Sequence, residues 1–370
     1  MNSKLLYVGK NIVGMDYHLE ELRALLSIEL NSKRVIGICG IGGIGKTTIA
    51  KAIYNELLYK FECSSFLADV REQSKDNVGL LKLQQQLLDD TLVGKCNKRI
   101  SSIHEGINVI RQKLQSKKGL VILDDVDNWK QLENLAGECE WFGLGSRIII
   151  TTRHKDLLVV DGANQLYEPK ALKYEEAVKL LSLYAFKQNV PREYYESVSY
   201  DVVRYAKGLP LALKILGSIL SNKTIHEWES ELCRLEKEPN VDIYNVLKIS
   251  FDGLSRLQKR VFLDIACFFK GKDKDFVSRI LDNAESEIIY LYEKSLITIV
   301  DNKIHMHDLI QQMGWEIVHE ECPNEPGEQS RLWDLDEVSS VLSRNVVRAN
   351  YIELQYCHFN FFLKVRYLNL

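Results

Sequence analysis

The chain has 370 residues, 46% of them hydrophobic and 27% charged, with a net charge of −3. That length suits two or three domains, and near-neutrality gives no general attraction to nucleic acid or to an anionic membrane. The cysteines stand at 39, 63, 96, 139, 233, 267, 322 and 357 with no C-x-x-C pair, so neither a zinc site nor a disulfide framework is indicated. Free thiols suit a reducing compartment, cytosolic or nuclear. No apolar run approaches the ~20 residues of a membrane span. The opening "MNSKLLYVGK" is too short and too polar for a signal peptide.

Residues 1–33 read as an N-terminal linker. "RVIGIC" (34–39) is a short apolar run that reads as a buried strand. Glycines follow, and then "TTIAKAIYNELLYKF", with Ile49, Ile53, Leu57 and Phe61 at helical spacing. "SSFLADV" (64–70) is a second strand. "LLKLQQQLLDDTL" and "IHEGINVIRQKLQ" are helices. "GLVILDDV" (119–126) is a third strand, apolar up to its two aspartates. "SRIIITTR" (146–153) is a fourth and "NQLYEP" (164–169) a weaker fifth. Strands alternating with helices predict a parallel sheet covered on both faces, over 34–169.

From 170 to 243 the pattern turns helical. "YEEAVKLLSLYAF", "YYESVSYDVVRYAKG" and "PLALKILGSILS" carry apolar residues three or four apart, and a helical bundle fits. Residues 244–345 hold several helices and then "LITIV" and "KIHMH" joined by "DN", a hairpin. Helices followed by a small hairpin suggest a winged-helix domain. The tail, 346–370, is irregular and aromatic, and "FFLKVRYLNL" has the look of a leucine-rich repeat beginning.

The segment Gly40-Ile41-Gly42-Gly43-Ile44-Gly45-Lys46-Thr47 matches G-x-x-x-x-G-K-[ST]. Glycines let successive backbone N–H groups turn inward around a phosphate without Cβ clashes. The helix from Lys46 adds the positive end of its dipole. Strand before and helix after is the context this motif requires. Lys46 is expected to reach the β- and γ-phosphates, and Thr47 to ligand Mg²⁺. In "LVILDD", Asp124 emerges at the carboxyl end of a buried strand, where ligands collect in open α/β sheets. It is the expected Mg²⁺ partner. Asp125 would position or deprotonate a water, or else belong to a solvated acidic turn. Arg153, closing "TTR", can meet a γ-phosphate by a charge-assisted hydrogen bond, although such an arginine taken alone is more often a surface residue.

The motifs "GICGIGGIGKTTIA", "SFLADVRE", "GLVILDDVD", "GSRIIITTR", "KGLPLAL", "FLDIACFF" and "MHD" occur in one order. In that order and spacing the chain resembles, over about 10–345, the NB-ARC region of plant disease-resistance proteins. This is the nucleotide-binding switch of the intracellular NLR immune receptors, related to the animal apoptotic protease-activating factor. Asp127 ending "LDDVD" and "FLDIACFF" resemble the subgroup that bears a TIR domain. The resemblance implies an α/β P-loop NTPase domain, a helical bundle and a winged-helix domain. It implies that Val13 and Gly14 line an adenine pocket, that Gly40 to Thr48 hold the phosphates, and that Arg153 senses the γ-phosphate from a strand lying between those of the phosphate loop and the aspartates. It further implies that Pro210 packs on the adenosine and that His307 reaches the β-phosphate of ADP. Alone, Pro210 is an ordinary helix start. On a strand His305 and His307 would share a face, a spacing open to a zinc pair but without further ligands.

Complete receptors of that subgroup carry a TIR domain before this region and leucine-rich repeats after it. In the present sequence no TIR domain is expected and the leucine-rich region is expected to be missing or barely begun, so signalling and pathogen recognition do not carry over with the switch. Three functions compete. One is a switch, closed with ADP and open and self-associating with ATP. The second is an ATPase whose turnover works on a macromolecular substrate. The third is DNA binding through the winged helix. From 244 to 345 there are 12 Lys and Arg against 18 Asp and Glu, a net of −6, and "RLQKR" is the one basic cluster. That is the wrong sign for a DNA-docking surface. The "MHD" triplet favours the switch over the motor.

Overall fold

The computed structural model describes residues 5–92, 99–158 and 164–334, together with 338, 341 and 351–352. The described residues fall into two compact units, one ending at Asn222 and the other beginning at Lys223.

In the first unit, α1 (Met15–Leu26) precedes β1 (Arg34–Cys39), and α2 (Lys46–Leu57) follows the glycine-rich turn. Then come β2 (Cys63–Leu67), α3 (Val70–Gln73), α4 (Asn77–Thr91), α5 (Ile103–Leu114) and β3 (Gly119–Val126). The unit continues with α6 (Trp129–Ala136), β4 (Arg147–Thr152) and β5 (Asn164–Tyr167). All five strands are parallel, in the order β2-β3-β4-β1-β5. β4 therefore lies between β3 and β1, as the resemblance implies.

Alternation along the strands divides the core into two layers. Leu120 and Ile122 of β3 and Ile149 of β4 face one side, with Ile36 and Ile38 of β1 and with Leu22, Leu26, Ile49, Ile53 and Leu57 of α1 and α2. Val121, Leu123, Ile148 and Ile150 face the other, with Leu83, Leu87, Ile110, Leu114 and Leu135 of α4, α5 and α6. A parallel sheet with two dry faces forces runs such as "LVIL" and "RIII" to be apolar throughout. Phe61 joins the first layer, but not on the expected helix. α2 ends at Leu57, a 3₁₀ turn covers Leu58–Lys60, and Phe61 is extended while remaining 3% exposed. The strand expected over 64–70 is also shorter. It stops at Leu67, and Val70 starts α3 after Asp69 takes a left-handed φ of 47°. Three helices complete this unit: α7 (Tyr174–Ala185), α8 (Glu196–Ala206) and α9 (Pro210–Leu220).

The second unit opens with α10 (Ile225–Lys237), which the sequence reading places inside the bundle of 170–243. It continues through α11 (Val241–Asp252), α12 (Arg256–Asp264), α13 (Lys274–Ile280) and α14 (Glu285–Glu293). The expected hairpin is present as β6 (Thr298–Val300) and β7 (Lys303–His305), antiparallel, and α15 (Asp308–His319) follows. α12 runs into a π-helical turn at Ile265–Phe269. The Ala266 carbonyl of that turn accepts hydrogen bonds from Gln311 Nε2 at 2.8 Å and Trp315 Nε1 at 3.1 Å, which fasten α15 to it. Arg331 Nε donates to Asp264 Oδ1 at 2.7 Å, both groups being almost wholly buried.

Two expectations for this unit change. β7 ends at His305, and His307 is the N-cap of α15 with φ −61° and ψ 137°, so the two histidines do not share a strand face. Among the described residues no cluster of three or more His, Cys, Asp or Glu side chains is arranged to hold a metal. The suggested leucine-rich beginning lies outside the described residues. No helix among them is long and apolar enough to cross a membrane.

Candidate nucleotide site

The glycine-rich turn leaves β1 at Cys39 and enters α2 at Lys46, at the carboxyl end of the sheet. Two of its glycines hold conformations closed to other residues. Gly43 has φ 82° and Gly45 φ 101°. Gly43 also has no room for a side chain, because a Cβ there would lie 2.7 Å from Leu211 Cβ. The Leu211 N–H donates to the Gly43 carbonyl at 3.2 Å, so the first turn of α9 is docked on the loop. This puts Pro210, the first residue of α9, at the edge of the same cleft.

The cleft has a volume of about 500 Å³. Gly42, Gly43, Ile44, Gly45, Lys46, Thr47 and Thr48 form its floor. Gly40 is not part of the lining, but its carbonyl accepts from Lys46 Nζ at 2.7 Å, with the Ile41 carbonyl doing the same at 2.9 Å. Lys46 is 8% exposed. Burial, and secondarily the nearby Arg153 cation, push its pKa down from 10.5 to about 8. Burial also lowers the pKa of Arg153, which lines the cleft from the end of β4. Two cations made costly by desolvation in one cleft favour an anionic ligand, which would offset that cost.

Asp124 sits behind the floor and is 1% exposed. Its Oδ1 accepts from Thr47 Oγ1 at 2.9 Å and from Thr151 Oγ1 at 2.6 Å. Its Oδ2 is buried and has no hydrogen-bond partner among the described residues. Burial raises the carboxyl pKa, the two threonine hydrogen bonds opposing this. A buried carboxylate oxygen without a donor, beside a threonine hydroxyl, is a set of hard oxygen donors suited to Mg²⁺. The residues present therefore fit that ion, and Thr47 and Asp124 are the ones that would hold it.

Asp125 turns away from Asp124. It has a left-handed φ of 57°, and its N–H donates to Thr151 Oγ1 at 2.8 Å. Thr151 thus aims both aspartates, one through its hydroxyl proton and one through its lone pair. The Asp125 side chain lines the cleft and accepts from Arg71 Nε at 2.8 Å.

Part of the cleft wall is apolar. Val13, Ile12, Met15, Leu172, Leu180 and Pro210 contribute to it, with Tyr184. A flat base suits such a wall better than a phosphate does. Gly14 does not line this cleft. It caps α1 at φ 74°, where a Cβ would stand 2.9 Å from Leu172 Cδ2 and 3.0 Å from Glu176 Oε1. Its part is to let α1 approach α7, which places Val13. His18 of α1 also lines the cleft, and its Nδ1 is hydrogen-bonded to the Tyr167 hydroxyl. Burial lowers the His18 pKa, against the pull of Glu176.

His307 belongs to the second unit. Its Nδ1 accepts from the Leu309 N–H at 3.2 Å, which caps α15. Asp308 pairs with Lys270. The sequence pattern does not identify Arg71, Thr151, His18, Tyr184 or Lys214, all of which line the cleft.

Comparison with known proteins agrees with this geometry. The NB-ARC domain family matches residues 15–191, and the winged-helix domain of Roq1-like disease resistance proteins matches residues 256–322. The chain is 51% identical over 360 residues to the disease resistance protein RUN1 of Vitis rotundifolia, covering 96% of this chain and 27% of that protein. It is 53% identical to the disease resistance protein RPV1 of the same plant, covering 90% of this chain and 24% of that one. The TMV resistance protein N of Nicotiana glutinosa is 44% identical, with 91% of this chain and 30% of that one covered. The chain thus spans between 24% and 30% of the length of these relatives. Among solved structures, a Walker-type ATPase of Pyrococcus abyssi shares the fold at a TM-score of 0.55 and 14% identity, over 82% of this chain and 96% of that one.

Proposed function

The chain carries the NB-ARC and winged-helix domains of plant disease-resistance proteins, and from that premise we propose that it is an ADP/ATP switch of plant immunity, closed with ADP and open and self-associating with ATP. The observation that carries this reading is the cleft itself. The buried Lys46 and the half-buried Arg153 line it close to one another, and Val13 and Pro210 belong to its apolar lining. A polyphosphate with a heterocyclic base matches both.

In this reading the loop N–H groups from Gly42 to Thr48 surround the β-phosphate, and Lys46 leaves the Gly40 and Ile41 carbonyls to bridge the β- and γ-phosphates. Arg153 meets the third phosphate, the one feature that distinguishes ATP from ADP. Thr47 and Asp124 would hold Mg²⁺, which would supply charge neutralisation for the phosphates. Asp125 orients the attacking water. Its carboxylate also accepts a hydrogen bond from Arg71, which shares it between the ion pair and the water. His307 of the second unit donates to the β-phosphate in the closed state only, and that differential contact couples nucleotide to conformation.

The test is small-angle X-ray scattering of the chain loaded with ADP or with a non-hydrolysable ATP analogue. A larger radius of gyration is expected with the analogue, and His307→Ala is expected to expand the ADP form as well. Equal radii in all three samples would remove the switch while leaving nucleotide binding in place.

A further inference from the structure

Asp125 brings a carboxylate to the part of the cleft that the cations Lys46 and Arg153 line. The third phosphate of ATP, in the reading above, must come to that same part. Two anions brought together in a partly desolvated cleft repel each other strongly, since the interaction of unit charges about 4 Å apart is roughly fourfold larger at an effective dielectric of ~20 than in water. Some group must offset the carboxylate, and the fold supplies one from a different strand.

β2 pairs with β3 in parallel, with Leu67 level with Leu123. Just beyond the end of β2, the left-handed turn at Asp69 starts α3 at Val70. Arg71 therefore projects from the first turn of α3 across the top of β3. Its Nε lies 2.8 Å from Asp125 Oδ2, the two side chains being 22% and 20% exposed. The pair is half-sheltered, so it is more than a solvated surface contact. The Asp125 N–H donates to Thr151 Oγ1 at 2.8 Å, which anchors the backbone from which the carboxylate enters the cleft. Arg153 feels both partners: Asp125 favours its charge and Arg71 opposes it.

We propose that Arg71 is a specificity-determining residue that neutralises Asp125 and so admits a third phosphate, making the Arg71–Asp125 ion pair the element that balances ATP against ADP. The inference rests on the nucleotide-switch reading and adds to it a residue outside the phosphate loop, the two aspartates and Arg153. Without the guanidinium, Asp125 would present an uncompensated charge to the γ-phosphate and a much weaker one to the more distant β-phosphate of ADP. Removing the carboxylate as well would cancel the effect.

The experiment is a double-mutant cycle read by calorimetry, with Mg²⁺-ADP and with the Mg²⁺ complex of a non-hydrolysable ATP analogue. Arg71→Gln is expected to weaken the analogue roughly tenfold more than ADP, and Arg71→Gln/Asp125→Asn to restore the parental ratio. Asp125→Asn alone, which leaves every cation in place, is expected to shift the ratio toward the analogue. It keeps the test decisive if Arg71→Gln fails to fold. Equal weakening of both nucleotides by folded Arg71→Gln, or a double variant no better than the single, would overturn the proposal. So would an Asp125→Asn ratio equal to the parent's. A parent chain that binds neither nucleotide would instead refute the switch reading on which the proposal stands.

Discussion

Lys46 makes nucleotide binding a proton-linked reaction. Its ammonium is buried against two carbonyls and its pKa lies at about 8, against an ordinary 10.5. A bound polyphosphate favours the charged form and returns the pKa toward its ordinary value, so binding must take up protons wherever free Lys46 has lost them. For a pKa of about 8, roughly three quarters of Lys46 is protonated near pH 7.5 and about a tenth near pH 9. Proton uptake per nucleotide should therefore rise from about 0.2 to about 0.9 over that interval, and affinity should fall roughly eightfold, or ~1.2 kcal/mol. The terminal phosphate, with a second pKa near ~6, is essentially ionised throughout and adds little. The stability of the nucleotide-free protein should move the other way. The unfolded chain binds this proton more tightly, so stability rises with pH between about 8 and 10.5. Calorimetry of ADP in two buffers of different ionisation enthalpy measures the uptake directly. Uptake near zero at both pH values would refute the buried, desolvated ammonium.

Asp124→Asn keeps a group able to bond the two threonines but removes the anion; the ratio of ADP affinity with Mg²⁺ to that with a chelator should collapse toward one, and a ratio equal to the parent's would remove Asp124 from the metal. Arg147 is fully buried and donates to the carbonyls of Leu26, Ser27, Leu30, Ser32, Gly145 and Ser146. Arg147→Met should destabilise the first unit by about 3–5 kcal/mol, since the freed carbonyls stay buried, and chemical denaturation showing a loss below ~1 kcal/mol would contradict this.

The parts of the site that could be read in the sequence are those set by local constraints. A loop that needs left-handed φ at Gly43 and Gly45 must use glycine, and a strand dry on both faces must be apolar until a residue such as Asp124 reaches its end. That argument gave β1, β3 and β4; β2 and the edge strand β5 were legible mainly from their place in the alternation with helices. What escaped depends on residues distant in sequence. Arg71 and Asp125 are 54 positions apart, and Thr151 meets Asp124 across 27. Nothing in "ADVRE" or "IIITTR" alone announces either contact. Periodicity also overran real ends: Phe61 kept the apolar spacing of α2 after the helix had stopped, because its ring still faces the same core. His307 was read onto the strand of His305 because alternation cannot show where a strand yields to a helix cap.

The central claim, that the cleft holds an adenine nucleotide and rests in its diphosphate state, is tested most directly by what the purified chain already carries. The protein is denatured after purification and the released nucleotide quantified by ion-exchange chromatography. Close to one ADP per chain is expected, with ATP a minor species. Lys46→Arg should carry almost none, because a guanidinium does not fit where an ammonium bridges two carbonyls. A chain that releases no nucleotide and binds none when offered, or a Lys46→Arg variant that retains ADP undiminished, would contradict the account.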